Sequence, residues 1–280
     1  MNSSVLLLLT SAFLHASWNA IAKSSKDKET FLFLAMTVSN IVACIAVLHQ
    51  GAFHIGDNVS FAILSGLFEG AYFVTLGKAL RQSDLGKSYS IMRGGAMLIV
   101  WLISIFFFQE SATLIQGLGA ILVFIGILFL NGFSFGRPQG NTGGKSYWSW
   151  ICAVCIGGYH LCYHRALQGQ ADPKSLFALA MMISWPFLIL AIGGNYLPRM
   201  KEVLRKHSWR VVITGIAAFL SFVIFLYGLK ASGPGFAISL RNSSIFFAIV
   251  LSYFLRESLT RPQILGALTV GVGALLLSLP

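Results

Sequence analysis

Apolar runs of about 18–23 residues recur along this whole chain, separated by short polar stretches. A run of that length suits an α-helix crossing a hydrocarbon core of about 30 Å. In lipid only helices and closed barrels satisfy their own backbone groups, so such a chain has few alternatives. With 56% of its 280 residues hydrophobic and 10% charged, it does not have the composition of an ordinary soluble domain. The runs predict ten helices, over about 5–22, 30–50, 59–81, 85–107, 112–131, 147–168, 174–194, 208–231, 234–255 and 261–279. The expected fold is an all-α membrane protein with ten transmembrane helices. The first run lacks a basic leader and carries polar residues, so it reads as a retained helix. The net charge of +11 sits mostly in loops, where it signals topology, and nucleic acid is set aside as a partner.

The two halves resemble each other. A shift of 145 lays ETFLFLAMTVS (29–39) on KSLFALAMMIS (174–184), and His15, Trp18 and Asn19 on His160, Tyr163 and His164. A shift of 147 lays QGLGAILVFIG (116–126) on QILGALTVGVG (263–273), and Gln109-Glu110-Ser111 on Arg256-Glu257-Ser258. Residues 1–132 and 147–280 thus read as two five-helix repeats joined by a polar, glycine-rich loop at 133–146. Because five is odd, the second copy enters the membrane upside down, and inverted repeats are an architecture of alternating-access transporters.

Two of the helices carry an arginine well away from their ends. Arg93 lies inside 85–107, and Arg241 occupies the matching place 148 residues later. A guanidinium inside a membrane helix costs several kcal/mol, so it faces the bundle interior. It serves there either as glue, bonded to neighbouring carbonyls, or as a binding group whose planar fork fits a carboxylate, phosphate or phosphonate. Asn242, Ser243, Ser88 and Ser90 can add neutral hydrogen bonds.

Glu69, mid-helix in GLFEGAYF, has only alanine (Ala217 or Ala218) opposite it in the second repeat. It can carry a proton during transport, or simply neutralise one of the arginines. Helix 1 offers His15, Trp18 and Asn19, and helix 6 offers Tyr159, His160, Tyr163 and His164. His15 and Asn19, like His160 and His164, are four apart and share a helix face. These read as cavity-lining groups and proton carriers, since HLCYH lacks the glutamate of HExxH and a third ligand. Tyr72 is a further substrate-lining candidate, with Lys78, Tyr227 and Trp185 behind it. No metal and no cofactor is expected. Cys152 and Cys155 form a CxxC without a second pair and read as buried apolar residues.

The ten helices in two halves, the doubled Glu-Ser…QxxGA pattern (Glu110 to Ala120, Glu257 to Ala267) and HASWNAIAK in helix 1 resemble the EamA-like drug/metabolite transporters. The resemblance covers essentially the whole chain. It implies a central cavity between the repeats, with the fourth and ninth helices prominent, and small-molecule cargo that differs between members. The arginines on those two helices are similar in kind to the cationic phosphate grip of the plastid phosphate-translocator branch. The resulting expectation is secondary transport of a small anionic or zwitterionic metabolite, such as an amino acid, phosphonate or phosphorylated compound. There is no GxxxxGK[ST], so energy comes from a gradient or exchange. A flippase for a charged lipid is the rival. An enzyme is disfavoured by the lack of HExxH, GxGD or GxSxG, and a receptor or scaffold would not require buried arginines in both repeats. The expected location is a bacterial cytoplasmic membrane, with membrane lipid as the surrounding partner. Fourteen basic residues lie in loops after odd-numbered helices against three on the other side. That places both termini outside the cytoplasm, whereas the family resemblance implies the reverse.

Overall fold

Each of the ten apolar segments contributes a helix. The computed structural model describes residues 3–108, 113–130, 147–232, 237, 240–257, 259–277 and 279. Its helices are α1 (Ser3–Lys23), α2 (Lys28–Gln50), α3 (Val59–Gln82), α4 (Leu85–Phe108), α5 (Leu114–Leu130), α6 (Tyr147–Gln168), α7 (Pro173–Ile192), α8 (Tyr196–Ser232), α9 (Ser244–Phe254) and α10 (Arg261–Leu277). A helical turn over 240–242 precedes α9. Among the described residues there is no strand, and five helices are individually long and apolar enough to cross a membrane. Glu110, Ser258, Arg137, Lys145 and the segment 133–146 lie outside the described residues.

Equivalent helices run in opposite senses. The Lys23 ammonium at the end of α1 donates to the Leu80 carbonyl near the end of α3, at 2.8 Å. Lys78, also near that end, stands 4.1 Å over the Trp148 ring at the start of α6. So α1 finishes at the pole where its counterpart α6 begins, as an inverted repeat requires. The repeats also clasp each other: α3 packs on α6 and α7, and the equivalent α8 packs on α1 and α2. α4 lies against α6, as α9 lies against α1. The centre of the bundle is therefore built jointly by both halves.

The doubled sequence motif has a structural purpose. Gly126 and Gly266 face each other so closely that a Cβ on Gly126 would stand 2.6 Å from the Gly266 carbonyl oxygen. Gly119 and Gly273 repeat the contact two turns away, so α5 and α10 meet backbone to backbone. Gln263 accepts from the Thr260 N–H at 2.8 Å, and Gln116 from the Thr113 N–H at 3.3 Å, satisfying donors at the starts of those two helices. Glu257 reaches across the repeats: both its carboxylate oxygens accept from the Leu85 N–H at 2.9 Å, capping α4.

The predicted loop 195–207 is instead helical. α8 starts at Tyr196 and is broken only at His207, which has φ −141° and ψ 24°. Arg199, Met200, Val203 and His207 turn inward at helical spacing, while Lys201, Glu202, Arg205 and Lys206 are exposed. Low hydropathy and Pro198 disguise this amphipathic segment as a loop.

The poles are closed by equivalent aspartates, 145 residues apart. Asp27 caps α2 at Thr30 and accepts two bonds from Arg199 of α8, each 2.7 Å. Asp172 caps α7 at Ser175 and accepts from Gln50 at 3.0 Å. Burial would push the Asp27 carboxyl up, but the Arg199 and Thr30 bonds outweigh it and hold the group below its ordinary value. A depressed native value means that the stabilisation is present above the unfolded value, about pH 3.9, and is lost as pH falls through the native one. Asp27→Asn should therefore melt below the wild type near neutral pH. The gap should narrow as melting curves are taken at pH below about 4. A constant gap down to pH 3 would contradict it.

Candidate functional site

The centre of the bundle holds two fully enclosed arginines, Arg93 at 1% and Arg241 at 0% exposure. They sit in equivalent positions and in different surroundings. Arg241 Nη1 donates to Ser11 Oγ at 3.1 Å and to the Ser221 carbonyl at 3.2 Å, and Nη2 stands 3.1 Å from His15 Nδ1. Its guanidinium also lies over two rings, 4.1 Å from the centre of Phe225 and 4.7 Å from that of Phe222. Beside Arg93 stands the Tyr89 ring, at 5.8 Å. None of its three guanidinium nitrogens has a hydrogen-bond partner among the described residues.

The repeat explains the difference. Ser11 stands opposite Ile156 at the shift of 145, and Ser221 opposite Tyr72 or Phe73 at the shift that sets Glu69 against alanine. Of the side chains that hold Arg241, Ser11 gives way to the apolar Ile156, whereas His15 has a histidine, His160, opposite it and Ser221 contributes its backbone carbonyl.

An aromatic lattice connects the two. The His15 ring lies 5.0 Å from Trp18, 5.4 Å from Phe222 and 6.1 Å from Tyr89. Tyr159 lies 5.4 Å from Tyr72, 5.7 Å from Tyr163, 4.5 Å from His160 and 6.1 Å from Phe222. Phe222 thus joins side chains from α1 and α6. The Tyr163 hydroxyl donates to Glu69 Oε2, and Glu69 Oε1 has no partner among the described residues.

Seven of the predicted residues come together here: Arg93, Arg241, Glu69, His15, His160, Tyr159 and Tyr163. Trp18 and Tyr72 join through their ring contacts. Asn19 is buried but turns its amide onto the His15 carbonyl at 2.8 Å, while its Oδ1 has no partner. Asn242 is buried beside Arg241 in sequence, with an unpartnered amide nitrogen. His164 is half-buried rather than enclosed.

Other expectations are corrected. Glu69 forms no ion pair with either arginine; its neighbour is Tyr163. Ser90 and Ser243 donate to the carbonyls of Gly86 and Leu240, and Ser88 is engaged with Ser83 and the Ala79 carbonyl, so these hydroxyls serve the backbone. Lys78 is at a pole, and Tyr227 and Trp185 are 42% and 37% exposed, so none of the three lines the centre. Sequence reasoning missed Tyr89, Ser11, Ser221, Phe222 and Phe225. The phenylalanine face had a signal, because Phe219, Phe222 and Phe225 recur at every third residue around Ser221.

The enclosed ionisable groups do not balance. Two arginines face one carboxyl, so the centre has an excess of at least one positive charge when the histidines are neutral. Buried groups without a hydrogen-bond partner among the described residues also include Trp18 Nε1, Tyr89 Oη, Tyr159 Oη, His160 Nε2 and Arg241 Nε. Donors and acceptors from both repeats thus converge on one enclosed, positively charged centre. No group of three or more His, Cys, Asp or Glu arranged to hold a metal occurs among the described residues.

Inverted five-helix repeats around a buried polar centre define a polytopic membrane transporter. The chain matches the EamA-like transporter family over residues 2–132 and 146–279, and it belongs to that family, within the drug/metabolite transporter superfamily. No curated protein matches it at a significant level. A solved structure titled only "Crystal structure of protein" is similar over 98% of this chain and 96% of its own, with a TM-score of 0.64 and 16% identity. That likeness concerns the fold.

The two arginines should respond oppositely to neutralisation. Arg241→Met removes the bonds to Ser11, Ser221 and His15 and should destabilise the ligand-free protein by about 1–3 kcal/mol. Arg93→Met removes an unpartnered charge and should leave the melting temperature unchanged or raise it. Equal losses in both variants would refute the asymmetry.

Proposed function

We propose that this protein is a secondary transporter that carries a small anionic or zwitterionic metabolite by alternating access, and that Arg93 is the principal grip on its anionic group. The observation that supports this most is the buried guanidinium of Arg93, without a hydrogen-bond partner among the described residues. A charge left so in a dry interior is costly unless a counter-ion arrives, and a metabolite carboxylate, phosphate or phosphonate is such a counter-ion. Arg241 contributes positive field and holds α1, α8 and α9 together around the cargo. Trp18, Tyr72, Tyr89 and Tyr159 supply flat walls and hydroxyl or indole donors. The enclosure of both arginines favours a small cargo surrounded on all sides over a lipid held in a lateral groove. Glu69, with one carboxyl oxygen unpartnered, is the leading proton-coupling group; His15 and His160 are alternatives.

Affinity tests the grip. Arg93→Lys keeps the charge but loses the fork, and Arg93→Gln loses both. A charge-assisted contact contributes about 1.5–3 kcal/mol, so the affinity for transported anions should fall roughly ten-fold or more in both while the protein stays folded. Full affinity in both variants would refute the proposal. Glu69→Gln in proteoliposomes should abolish the pH dependence of transport; full retention would move coupling to the histidines.

We further propose that the pole carrying Lys23, Arg81, Arg199 and Arg210 faces the cytoplasm in a bacterial cytoplasmic membrane, with residues 3 and 279 on the other side. The basic excess there supports this. A cysteine at Ser3, in a cysteine-free background, should react with an impermeant thiol reagent in intact cells, and one at Ser208 should not. The opposite pattern would invert the assignment.

A further inference from the structure

A further ammonium without a carboxylate partner among the described residues, that of Lys78, lies at the basic pole, away from the central arginines. A pocket of about 460 Å3 opens there, where the ends of α3 and α7 meet the starts of α2, α6 and α8. Lys78, Arg81, Arg199, Glu29, Trp148 and Ile192 line it. We propose that this pocket seats the phosphate of an anionic membrane lipid, with the acyl chains running along the outer face of α7.

The charge arrangement points to an anion. Glu29 is already committed to Arg81, at 2.6 Å, and Arg199 is paired with Asp27 at 2.7 Å. Lys78 has no carboxylate within ion-pair distance among the described residues, and its ammonium rests on the Trp148 ring at 4.1 Å. The ring holds the ammonium at the pocket without neutralising it. Arg81 uses Nη1 for Glu29 and is 58% exposed, so the rest of its fork is available beside Lys78. A lipid phosphate, as a compact acceptor, can bridge the two.

Placement points to a lipid rather than a soluble anion. Tryptophan at a helix start favours the depth of the lipid headgroups. Ala191 and Ile192 form the apolar side of the pocket, and the residue before them, Leu190, is 79% exposed. The pocket wall therefore continues directly onto an outward-facing apolar surface of α7, where an acyl chain can lie. Lys201, Arg205 and Lys206, exposed on the first turns of α8, add the kind of cationic surface that enriches anionic lipid nearby.

The experiment uses full-length protein purified in a zwitterionic detergent. Dihexanoyl-phosphatidylglycerol, dihexanoyl-phosphatidylcholine and inorganic phosphate are titrated separately, and the melting temperature and native mass spectra are read. The glycerol lipid should raise the melting temperature saturably and appear as a bound adduct, and the choline lipid should do neither. Lys78→Gln should weaken the apparent affinity for the glycerol lipid roughly ten-fold, and Lys78→Arg should restore it. Trp148→Leu keeps every charge but releases Lys78, so it should also weaken binding; it serves as the second test if Lys78→Gln fails to fold. Arg93→Lys should leave this binding unchanged, which separates the pole from the central site. Unaltered affinity in both Lys78→Gln and Trp148→Leu, or an equal response to the choline lipid, would overturn the proposal. An equal effect of inorganic phosphate, also lost in Lys78→Gln, would overturn the lipid assignment and give the pocket to a soluble anion.

Discussion

The structure depends on how a guanidinium is kept in a place where water cannot solvate it. A buried arginine is tolerable when its donors are used and its charge is spread over polarisable neighbours, and costly otherwise. Arg241 largely meets these conditions: Ser11, Ser221 and His15 stand at its two terminal nitrogens and two phenylalanine rings lie against its face, and only Nε has no partner among the described residues. Arg93, at the equivalent position, does not. One backbone plan thus presents the same side chain twice, once as a largely bonded strut and once as an unsatisfied donor. A site that must bind and then release its cargo needs the second kind, because a fully satisfied donor has little to gain from a ligand.

The fold makes such a site possible by sharing it. Because α3 and α8 each clasp the first two helices of the opposite repeat, neither half can move without altering the walls of the centre. Phe222 illustrates the consequence: it comes from α8 yet contacts His15 of α1, Tyr159 of α6 and the guanidinium of Arg241. The α5–α10 pair does the opposite work. Its glycines let two backbones touch, giving a dry, rigid contact that holds the repeats together away from the site.

Much of this was legible in the chain. Helix number, inversion and the burial of Arg93, Arg241 and Glu69 followed from apolar run length, the internal repeat and the cost of charge in lipid. What escaped has physical reasons. The segment 196–206 is amphipathic over only three turns, so hydropathy reads it as loop, although the spacing of Arg199, Val203 and His207 was there to see. The inequality of the arginines was also encoded, in Ser11 standing against Ile156, but it emerges only once helix packing shows that Ser11 touches Arg241. Ser90 and Ser243 were misread because a hydroxyl in a helix has a backbone carbonyl one turn back within reach, and Ser88 because it turns to Ser83 and Ala79 at the end of α3. Sequence proximity to an arginine cannot reveal that competition.

The same divergence within symmetry extends to the ends of the bundle. Asp27 and Asp172 are equivalent caps, and each fastens the start of one helix to a segment of the other repeat. At one pole the partner is Arg199, held by two charge-assisted bonds; at the other it is Gln50, held by one bond to a neutral amide. The Asp27 and Arg199 side chains remain 25% and 34% exposed, so water can replace much of their interaction when they part. Opening either pole must break its clasp, and the two clasps differ in charge, geometry and sensitivity to salt. A pseudo-symmetric fold therefore need not have two equally stable open forms. In the proposed alternating-access cycle the backbone would supply the two directions of access, and a handful of diverged side chains would set how readily each is taken.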